Sequence, residues 1–419
     1  MNDKEALEYL RQAAASGSRL GLSRITELTE RLYRPQDAVP AVHISGTNGK
    51  GSVGAMLASV LRAAGYRTGH FATPALSTPY DCYQIGGIPV PPSVFAAAMT
   101  EVRAHAEQMT DPPTEYELIA AAAFAVFRQQ HCAVSVIECC MGGDTDCTNV
   151  IRAPLLSVIT NVALDHCAFL GSTTAEIAAH KAGIIKHGCP ALTGCTDPAA
   201  IEVIRSYAER IGAPLFFPDD PLQITAMSPE GTDCISREYG ALRLGTAGLY
   251  QPENAATVLR AVSVLRGQGL RITDDAVRKG LCSCRWAGRM ELLRRNPYVL
   301  FDGAHNPDGM KTACESLTRF FGAGQQISFV IGVMADKDYT QYAEMLRPLA
   351  AGIYTVTPDN PRALPAERLA AVFAEAGLPA AACRTVGEAV SAARQTGRTV
   401  VGLGSLYLYR EFCGALESY

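Results

Sequence analysis

Short apolar runs alternate along this chain with stretches in which apolar residues recur every three or four positions. This alternation predicts an α/β fold, in which helices cover a mostly parallel sheet. The runs that predict buried strands are Ala38–Ile44, Val134–Ile137, Leu155–Ile159, Tyr298–Phe301, Ile327–Ile331 and Val400–Leu403. Ligands bind such sheets at the carboxyl ends of the strands. The residues after each run are therefore the first candidates for function.

A glycine-rich segment follows the first run, and apolar residues at helical spacing begin directly after it at Val53. The segment consists of Gly46, Thr47, Asn48, Gly49, Lys50, Gly51 and Ser52. Strand, glycine-rich turn and helix together cradle nucleotide phosphates, because the glycines allow close approach while helix amides and a lysine meet the negative charge. A nearby hydroxyl can face a Mg²⁺ ion on the same phosphates. We therefore predict a nucleotide site; the alternative is a turn that only caps the helix.

The spacing of this segment departs from the general P-loop pattern. That pattern has four residues between its glycines and a hydroxyl residue directly after the lysine. Here two residues separate Gly46 from Gly49, and Gly51 stands between Lys50 and Ser52. The segment is thus a variant of the P-loop.

Polar residues also follow four of the later predicted strands. They are Glu138 with residues 142–146, Thr160 and Asn161 leading to Asp165 and His166, Asp302 with residues 303–307, and residues 336–338. Turns of a purely structural protein would more often hold glycine, asparagine and proline alone. These strand ends are candidates for a polar site.

The composition is that of an ordinary globular protein. The chain has 419 residues, 48% of them hydrophobic and 19% charged, which is enough for two or three domains. A formal net charge of -4 disfavours a dedicated nucleic-acid-binding protein, which usually carries a basic surplus. No apolar run reaches the ~20 residues of a membrane span. We expect a chain that binds neither nucleic acid nor membranes.

Cysteine usage and the first residues bear on the cellular compartment. None of the 14 cysteines belongs to a C-x-x-C pair, so zinc-finger spacing is absent from the sequence. The segment Met1–Glu5 lacks the basic and apolar regions of a signal peptide. We expect a cytoplasmic protein with reduced cysteines that fill the core.

A domain boundary is predicted near Arg285–Arg289. Before it, residues 220–245 are irregular and polar enough to form hairpins or an edge extension. After it, about 130 residues repeat the alternation of strand and helix and could fold alone. The predicted domains are residues 1–287 and 288–419.

Several motifs occur in order along nearly the whole chain. They are 46–52, 114–117, Glu138 with 142–143, Asp146 with 148–149, 164–166, 181–186, 254–256, 288–289 and 302–307. In this order and spacing the chain resembles the folylpolyglutamate synthase and dihydrofolate synthase family of the Mur-ligase superfamily. The resemblance implies a P-loop, parallel-sheet ATPase domain with a central region, followed by a smaller Rossmann-like glutamate-ligase domain, commonly in a monomer.

The same resemblance implies an amide-forming reaction. ATP phosphorylates the carboxylate of a folate-type acid, and the amino group of L-glutamate attacks the resulting acyl phosphate. Because carboxylate oxygen is a poor leaving group and phosphate is a good one, ATP is required. Catalysis of this kind depends mainly on positioning and charge neutralisation.

Site residues carried over by resemblance fall into four groups. Lys50, Lys181 and His305 are catalytic. Gly46, Thr47, Asn48, Gly49, Lys50, Gly51, Ser52, Asn254, Arg289 and Asp302 bind ATP. Thr73, Glu138, His166, Ser52 and Lys181 hold two Mg²⁺ ions, with Lys181 carbamylated and a monovalent cation as a further cofactor. Thr114, Tyr116, Glu117 and Asp146 bind the acceptor acid.

Four of these residues have a structural alternative. His166 can simply end a strand turn, and Lys181 can be a solvated helix lysine, although its helix opens with the capping box of Thr173 and Glu176. Arg289 can form an interdomain salt bridge. Asp302 can be the N-cap of the helix that follows Pro307.

The resemblance is weaker where the pteridine ring of a folate would bind. Ala75 stands where the family usually has histidine, residues 81–84 replace an acidic–basic pair, and Asp144 replaces an arginine. Ala287 likewise replaces a proline. The acceptor can therefore be dihydropteroate, tetrahydrofolylpolyglutamate, both, or another carboxylate. A nucleotide-binding module without ligase turnover is the alternative from another class.

Overall fold

The computed structural model describes residues 1–15, 17 and 19–417 and divides the chain into two compact units. The first unit comprises Met1–Pro221 and Glu253–Ser283, and the second comprises Leu222–Pro252 and Cys284–Tyr419. This division differs from the predicted ranges of 1–287 and 288–419 because residues 222–252 pack with the C-terminal unit. The irregular, polar region near residues 220–245 is the three-stranded hairpin sheet of that unit.

The first unit is built on an eight-stranded sheet in the order β4-β3-β2-β5-β1-β6-β7-β8. Its strands are β1 (Ala41–Ser45), β2 (Thr68–Phe71), β3 (Tyr83–Ile85), β4 (Ile88–Pro89), β5 (Val134–Glu138), β6 (Leu156–Ile159), β7 (Ala191–Thr193) and β8 (Leu215–Phe216). All neighbours run parallel except at β3 and β4, which form an antiparallel edge. Strand β1, which precedes the glycine-rich segment, lies between β5 and β6.

The helices of the first unit cover both sides of this sheet. They are α1 (Asp3–Ala14), α2 (Ser23–Arg31), α3 (Lys50–Ala63), α4 (Pro92–Ala106), α5 (Glu115–Gln129), α6 (Cys167–Leu170), α7 (Thr174–Ala182), α8 (Pro198–Arg210), α9 (Gln251–Gly267, which begins in the second unit's range) and α10 (Asp274–Ser283). The alanine run at residues 120–123 is fully buried within α5, where small side chains allow close packing on the sheet. Buried apolar residues on and around the sheet form the core, and two of their clusters lie around α4 with α5 and around α7 with α8.

The second unit holds two sheets. An antiparallel sheet consists of β9 (Gln223–Ser228), β10 (Gly231–Ser236) and β11 (Gly240–Leu244). A six-stranded sheet in the order β12-β13-β17-β14-β15-β16 consists of β12 (Glu291–Arg295), β13 (Tyr298–Phe301), β14 (Ile327–Ile331), β15 (Ala350–Thr355), β16 (Ala380–Ala382) and β17 (Val400–Leu403). Its helices are α11 (Pro307–Phe321), α12 (Tyr342–Leu346), α13 (Ala366–Glu375), α14 (Val386–Gln395) and α15 (Tyr409–Glu417).

The prediction of an α/β fold with a large parallel sheet and a smaller second α/β unit is confirmed. Each apolar run that was predicted as a strand contains one, and the first begins at Ala41 rather than Ala38 because it follows Pro40. Within the described residues, no helix combines the length and apolar character needed to cross a membrane.

Candidate functional site

The glycine-rich segment forms the turn between β1 and α3. Gly46 and Gly49 have φ values of +153° and +87°, which favour glycine. A Cβ atom on Gly46 would lie 1.9 Å from Oγ1 of Thr160. On Gly49 it would lie 2.5 Å from Oδ1 of Asn254. Contact and backbone conformation therefore both require glycine here, and Asn254 lies directly against the turn.

Two residues after β6 fix the shape of this turn. The backbone N–H of Thr47 donates to the carbonyl of Asn161 at 2.8 Å, and that of Asn48 donates to Asn161 Oδ1 at 2.8 Å. The Thr160 hydroxyl donates to the Asn48 carbonyl at 2.6 Å. The turn is thus held from β6 as well as from its own helix, so its conformation is set before any anion binds.

Positive charge is concentrated in the same turn. The Lys50 ammonium donates to the carbonyls of Gly46 at 3.0 Å and Thr47 at 3.2 Å. The N-terminus of α3 starts at this lysine and adds the positive end of its dipole. Ser52 lies in the first turn of α3 and is buried. This arrangement can receive a polyphosphate.

The other predicted metal and nucleotide residues follow neighbouring strands. Strands β2, β5, β1 and β6 are consecutive in the sheet and parallel, so their carboxyl ends share one edge. This edge carries Thr73 after β2, Glu138 at the end of β5, the glycine-rich turn after β1 and the segment reaching His166 after β6. The structure thus brings these four features together.

The pKa of the Cys140 thiol is affected by residues at several of these strand ends. Its pKa is raised to about 11, first by desolvation from the surrounding protein atoms, although the residue as a whole is exposed, and then by the negative charges of Asp146 and Glu138. A side-chain hydrogen bond with Thr73 and the positive charge of Lys50 act in the opposite direction. Residues from three separate segments, at 50, 73 and 138–146, therefore lie close to this thiol.

Lys181 is buried, so its alternative as a solvated helix lysine is wrong. It lies near the end of α7, which opens with the predicted capping box of Thr173 and Glu176. Only 2% of the residue is exposed. Burial and the positive charge of Lys50 lower the pKa of Lys181 to about 7, although nearby carboxylates such as Asp165 oppose the change. A substantial fraction of the amine is therefore neutral at physiological pH.

His166 stands at the point where the chain turns from β6 into α6. Its φ is +51°, and its backbone N–H donates to Oδ1 of Asp165 at 2.8 Å. The ring Nε2 lies 3.9 Å from Oδ2 of the same carboxylate, and 34% of the side chain is exposed. Among the described residues, no three His, Cys, Asp or Glu side chains already form a metal-binding group. The predicted set of Thr73, Glu138 and His166 includes only two residues of these types.

Two of the predicted acceptor residues serve the fold. Thr114 caps α5, and Glu117 reciprocates by accepting from the Thr114 backbone at 2.7 Å and from its hydroxyl at 3.0 Å. The Glu117 carboxylate is fully buried and also accepts from Nε of Arg24 at 3.0 Å. Tyr116 lies between them in sequence, and burial followed by the charge of Asp146 raises the pKa of its phenol.

Groups of the protein occupy all the hydrogen-bonding positions of the Asp146 carboxylate. Its Oδ1 accepts from the backbone of Thr148 at 2.9 Å and from the Thr148 hydroxyl at 2.6 Å. Its Oδ2 accepts from the backbone N–H groups of Cys140 at 2.8 Å and Met141 at 3.1 Å. Four hydrogen bonds fill the usual capacity of a carboxylate, so Asp146 shapes the loop around residues 140–146.

The second unit places Asp302 after β13. Its Oδ2 accepts from the Tyr250 hydroxyl at 2.6 Å and from the Met290 backbone at 2.7 Å, while Oδ1 accepts from the Ala304 backbone at 2.8 Å. The alternative that Asp302 caps the next helix is wrong. The N-cap of α11 is Asn306, which is adjacent to Pro307 and accepts from Gly309.

Arg289 and His305 lie beside Asp302 in sequence or space. A Cβ atom on Gly303 would be 2.4 Å from Nη1 of Arg289, so glycine makes room for the guanidinium. The same guanidinium donates to the Gly288 carbonyl at 3.1 Å. Nδ1 of His305 lies 2.8 Å from the Gly303 carbonyl, to which it must donate. Nε2 is therefore the nitrogen that a neutral His305 leaves without a proton.

Asp144 occupies the position where the resemblance is weakest. Its carboxylate lies 2.9 and 3.1 Å from Nδ1 of His180, the residue before Lys181. The Asp144 backbone also donates to the His180 carbonyl at 2.9 Å. The altered loop is thus joined to the lysine-bearing helix.

Sequence reasoning missed three residues that organise these sites. Asn161 holds the glycine-rich turn, Tyr250 binds Asp302, and His43 contacts Thr148 inside the sheet. Asn161 was visible as a polar residue after a predicted strand. Tyr250 and His43 carried no local signal.

Comparison with protein families matches two models to this chain. The Mur ligase middle domain matches residues 44–205, and the Mur ligase glutamate ligase domain matches residues 288–406. A glycine-rich phosphate turn precedes a buried lysine of lowered pKa in the first of these ranges. The chain is therefore an ATP-dependent ligase of the Mur type.

Curated relatives narrow this class. A dihydrofolate synthase/folylpolyglutamate synthase of Bacillus subtilis is 36% identical over 374 residues, which cover 86% of each chain. A folylpolyglutamate synthase of Lacticaseibacillus casei is 34% identical, with 87% of this chain and 88% of the relative covered. The chain belongs to the dihydrofolate synthase/folylpolyglutamate synthase family.

Solved structures with folds similar to that of this chain support the same family assignment. Folylpolyglutamate synthase of Mycobacterium tuberculosis, complexed with ADP and AMPPCP, has a TM-score of 0.89 at 28% identity and covers 100% of this chain and 98% of its own. Escherichia coli FolC in complex with DHPP and ADP has a TM-score of 0.87 at 27% identity, with 100% and 97% covered.

Proposed function

We propose that this enzyme joins L-glutamate to the carboxyl group of dihydropteroate, of tetrahydrofolylpolyglutamate or of both, through an acyl phosphate formed from ATP. The γ-phosphoryl group passes to the acceptor carboxylate and ADP is formed. The glutamate nitrogen then attacks the acyl carbon, phosphate leaves with the C–O bonding electrons, and the nitrogen loses a proton.

The observation that carries this proposal is the buried Lys181. A nucleotide-binding module needs the phosphate turn but does not need a second lysine buried near it, because burial of a charged amine is energetically unfavourable. An amine whose pKa is about 7 can react with CO₂ at neutral pH, because only the neutral form is nucleophilic. Carbamylation would replace a cation by an anion beside Lys50.

Thr73, Glu138 and Ser52 offer the oxygen donors that suit magnesium, whereas His166 offers a nitrogen, which Mg²⁺ binds less readily. Mg²⁺ prefers oxygen ligands and keeps several positions for water and phosphate oxygens, so the two or three protein donors per ion that we assign are sufficient. We assign Thr73, Glu138 and His166 to one ion and Ser52 with carbamylated Lys181 to a second. When bound, the ions neutralise charge on the phosphates. The protein's own part is to position Lys50 and the turn amides around those phosphates.

Residues of the second unit are assigned to ATP and to the later step. Arg289 presents a guanidinium, which suits bidentate contact with phosphate. Asp302 is fixed by three donors and is assigned to the nucleotide, as is Asn254 of the first unit. A neutral His305 that donates from Nδ1 has Nε2 as its acceptor nitrogen, and we assign it to the glutamate-dependent step. We further propose a monovalent cation, a monomeric state and a cytoplasmic location; the 14 free thiols fit a reducing compartment.

A second candidate is a Mur-type amide ligase with a different carboxylate acceptor. It is favoured by the pairing of Asp144 with His180, which puts a carboxylate where the family usually has an arginine cation. A negative charge there would disfavour an acidic group of the acceptor. The ATP and metal chemistry would be unchanged.

The test is a coupled assay with ATP, Mg²⁺ and L-glutamate. Dihydropteroate, tetrahydrofolate, tetrahydrofolylpolyglutamate and a panel of other acids are offered in turn, and ADP release and product mass are measured. We expect turnover that requires both glutamate and a pterin acid. If another acid is turned over and no pterin acid is, the second candidate function is correct and the first is wrong.

Lys181→Ala separates catalysis from nucleotide binding. We expect loss of turnover with nucleotide affinity largely retained, because Lys50 and the glycine-rich turn remain. Lys4→Ala, at an exposed lysine of α1, is the matched control and should keep full activity. Unchanged turnover in Lys181→Ala would refute the role of this lysine.

A further inference from the structure

His43 lies inside the first unit, two residues before the end of the strand that feeds the glycine-rich turn. The residue is 0% exposed, as is Thr148, and Cys139 is 1% exposed. Nε2 of His43 lies 2.8 Å from Oγ1 of Thr148 and 3.2 Å from Sγ of Cys139. A buried imidazole is thus in contact with both sides of the loop that runs from residue 139 to residue 149.

The direction of the hydrogen bonds can be assigned. Burial raises the pKa of Asp146, but three backbone N–H groups donate to its oxygens and favour the ionised carboxylate, which can only accept; the Thr148 hydroxyl therefore donates its one proton to Oδ1 at 2.6 Å. The hydroxyl oxygen must therefore accept from His43, which fixes the imidazole as the Nε2–H tautomer. Asp146 in turn holds the backbone N–H groups of Cys140 and Met141. A continuous chain of hydrogen bonds from His43 through Thr148 to Asp146, called the relay below, joins β1 to the loop.

A second hydrogen bond connects the same strand to the loop. His43 and Ser45 are two positions apart, so their side chains share one face of β1. The Ser45 hydroxyl donates to the carbonyl of Gly142 at 2.5 Å. Two consecutive side chains on this face therefore fix residues 140–143 relative to the strand that carries the phosphate turn.

The contact between Cys139 and His43 does not form a nucleophilic pair. Burial lowers the pKa of His43 to about 3 and raises that of the Cys139 thiol well above its ordinary value. Both groups are therefore neutral at physiological pH, and neither reaches solvent. A thiolate–imidazolium pair, which covalent catalysis by cysteine requires, is excluded.

We propose that His43 is a positioning residue for the acceptor acid. Through Thr148 and Asp146 it fixes the loop at residues 140–146, which includes the predicted acceptor residue Asp146 and the divergent Asp144, in register with the phosphate turn that follows its own strand. This inference rests on the proposed function and on the sequence-based prediction that this loop contributes to the acceptor site. His43 touches no substrate and acts only through the relay.

The test compares His43→Leu, His43→Gln and Thr148→Val. Leucine fills the space but donates no hydrogen bond, whereas the glutamine amide can place a donor near the position of Nε2. We expect His43→Leu to raise KM for the acceptor by about tenfold or more, since small misplacements near a reacting group are costly, with KM for ATP within about twofold. His43→Gln should restore most of the acceptor KM.

Two further measurements separate positioning from general damage. His43→Leu combined with Thr148→Val should be no worse than either single change, because both interrupt one relay. His70→Leu is the matched control: His70 is also a buried strand histidine, but its ring faces Gly54 of α3. It should lower stability without the selective rise in acceptor KM.

Two readouts do not depend on the identity of the acceptor. Nitrogen NMR of the wild-type enzyme should show His43 as the neutral Nε2–H tautomer. Hydrogen exchange of the Cys140 and Met141 amides should accelerate in His43→Leu and Thr148→Val but not in His70→Leu. If every folate-type acid is inert, the proposed function fails while these readouts still decide whether the relay exists.

Four results would overturn the inference. They are the Nδ1–H tautomer, unchanged exchange at residues 140 and 141, equal losses for ATP and acceptor, and a glutamine variant no better than leucine. If His43→Leu does not fold, the tautomer, Thr148→Val and His43→Gln remain as tests.

Discussion

Replacing Lys181 by Met should make the first unit more stable while abolishing turnover. The residue is buried and lies close to the positive Lys50, so the protonated form of its amine is disfavoured in the folded state. Methionine has a similar length and no charge, so it removes this conflict.

The size and pH dependence follow from the pKa of Lys181. It falls from 10.5 to about 7 on folding, a change of about 3.5 units at about 1.36 kcal/mol each. Between these values the unfolded chain binds a proton that the folded chain does not, so wild-type stability rises with pH. The cost relative to a neutral side chain is about 4 kcal/mol at pH 7, about 2 kcal/mol at pH 9 and under about 0.5 kcal/mol at pH 10.5. The advantage of Lys181→Met should shrink accordingly.

Hydrogen exchange with mass spectrometry, as a function of urea, is the suitable assay. The single tryptophan, Trp286, lies in the second unit, so its fluorescence does not report on the first. Peptides from β1, β5 and β6 report on the stability of the first unit. Measurements at several pH values between 7 and 10, without CO₂ and with a chelator, keep the amine unmodified. Other titrating groups cancel in the difference between wild type and variant.

Lys4→Met is the control for the loss of a lysine as such. It removes an exposed cation from α1, and its effect should be small and nearly independent of pH. A constant difference between wild type and Lys181→Met across this range, or a less stable variant at pH 7, would refute the assignment of a neutral, strained amine.

Two more predictions concern the phosphate turn and the core. Gly49→Ala should weaken nucleotide binding by at least about tenfold in calorimetry, because its Cβ would meet Asn254 at 2.5 Å; Gly65→Ala, at a φ of +92° with no atom within 4 Å, should leave binding unchanged. Equal binding by both variants would contradict this contact. Arg24→Met should destabilise the first unit by about 3–5 kcal/mol in urea titrations, because it leaves the Glu117 carboxylate buried without its cation. A loss under about 1 kcal/mol would mean that the pair adds little.

The sequence predicted features whose determinants are local. The glycine-rich turn, the strands before it and after it, and the capping box of α7 each depend on residues close together in the chain. The capping box at Thr114 and Glu117 is equally local, but the same residues were predicted to bind the acceptor. In the structure the pattern Thr-x-x-Glu marks the start of α5, and Glu117 also contacts the buried Arg24.

Contacts between distant segments were beyond the reach of the sequence. Arg24 and Glu117 are separated by 93 positions, and Tyr250 and Asp302 by 52. Periodicity gives the face on which a residue lies but not its partner across the fold. Residue type alone favoured a solvated Lys181, because its helix shows only weak segregation of apolar residues and gives no sign of the burial that the structure shows. The motif resemblance, rather than residue pattern, singled out that lysine.

The path of the chain through its two units has a practical consequence. The backbone passes from one unit to the other after Pro221, after Pro252 and after Ser283. Cleavage at any one of these junctions leaves two other covalent connections between the units. A recombinant fragment that starts at residue 288 would lack the hairpin sheet and the tyrosine that anchors Asp302. Chimeras that exchange the second unit between relatives therefore have to transfer residues 222–252 together with the C-terminal segment.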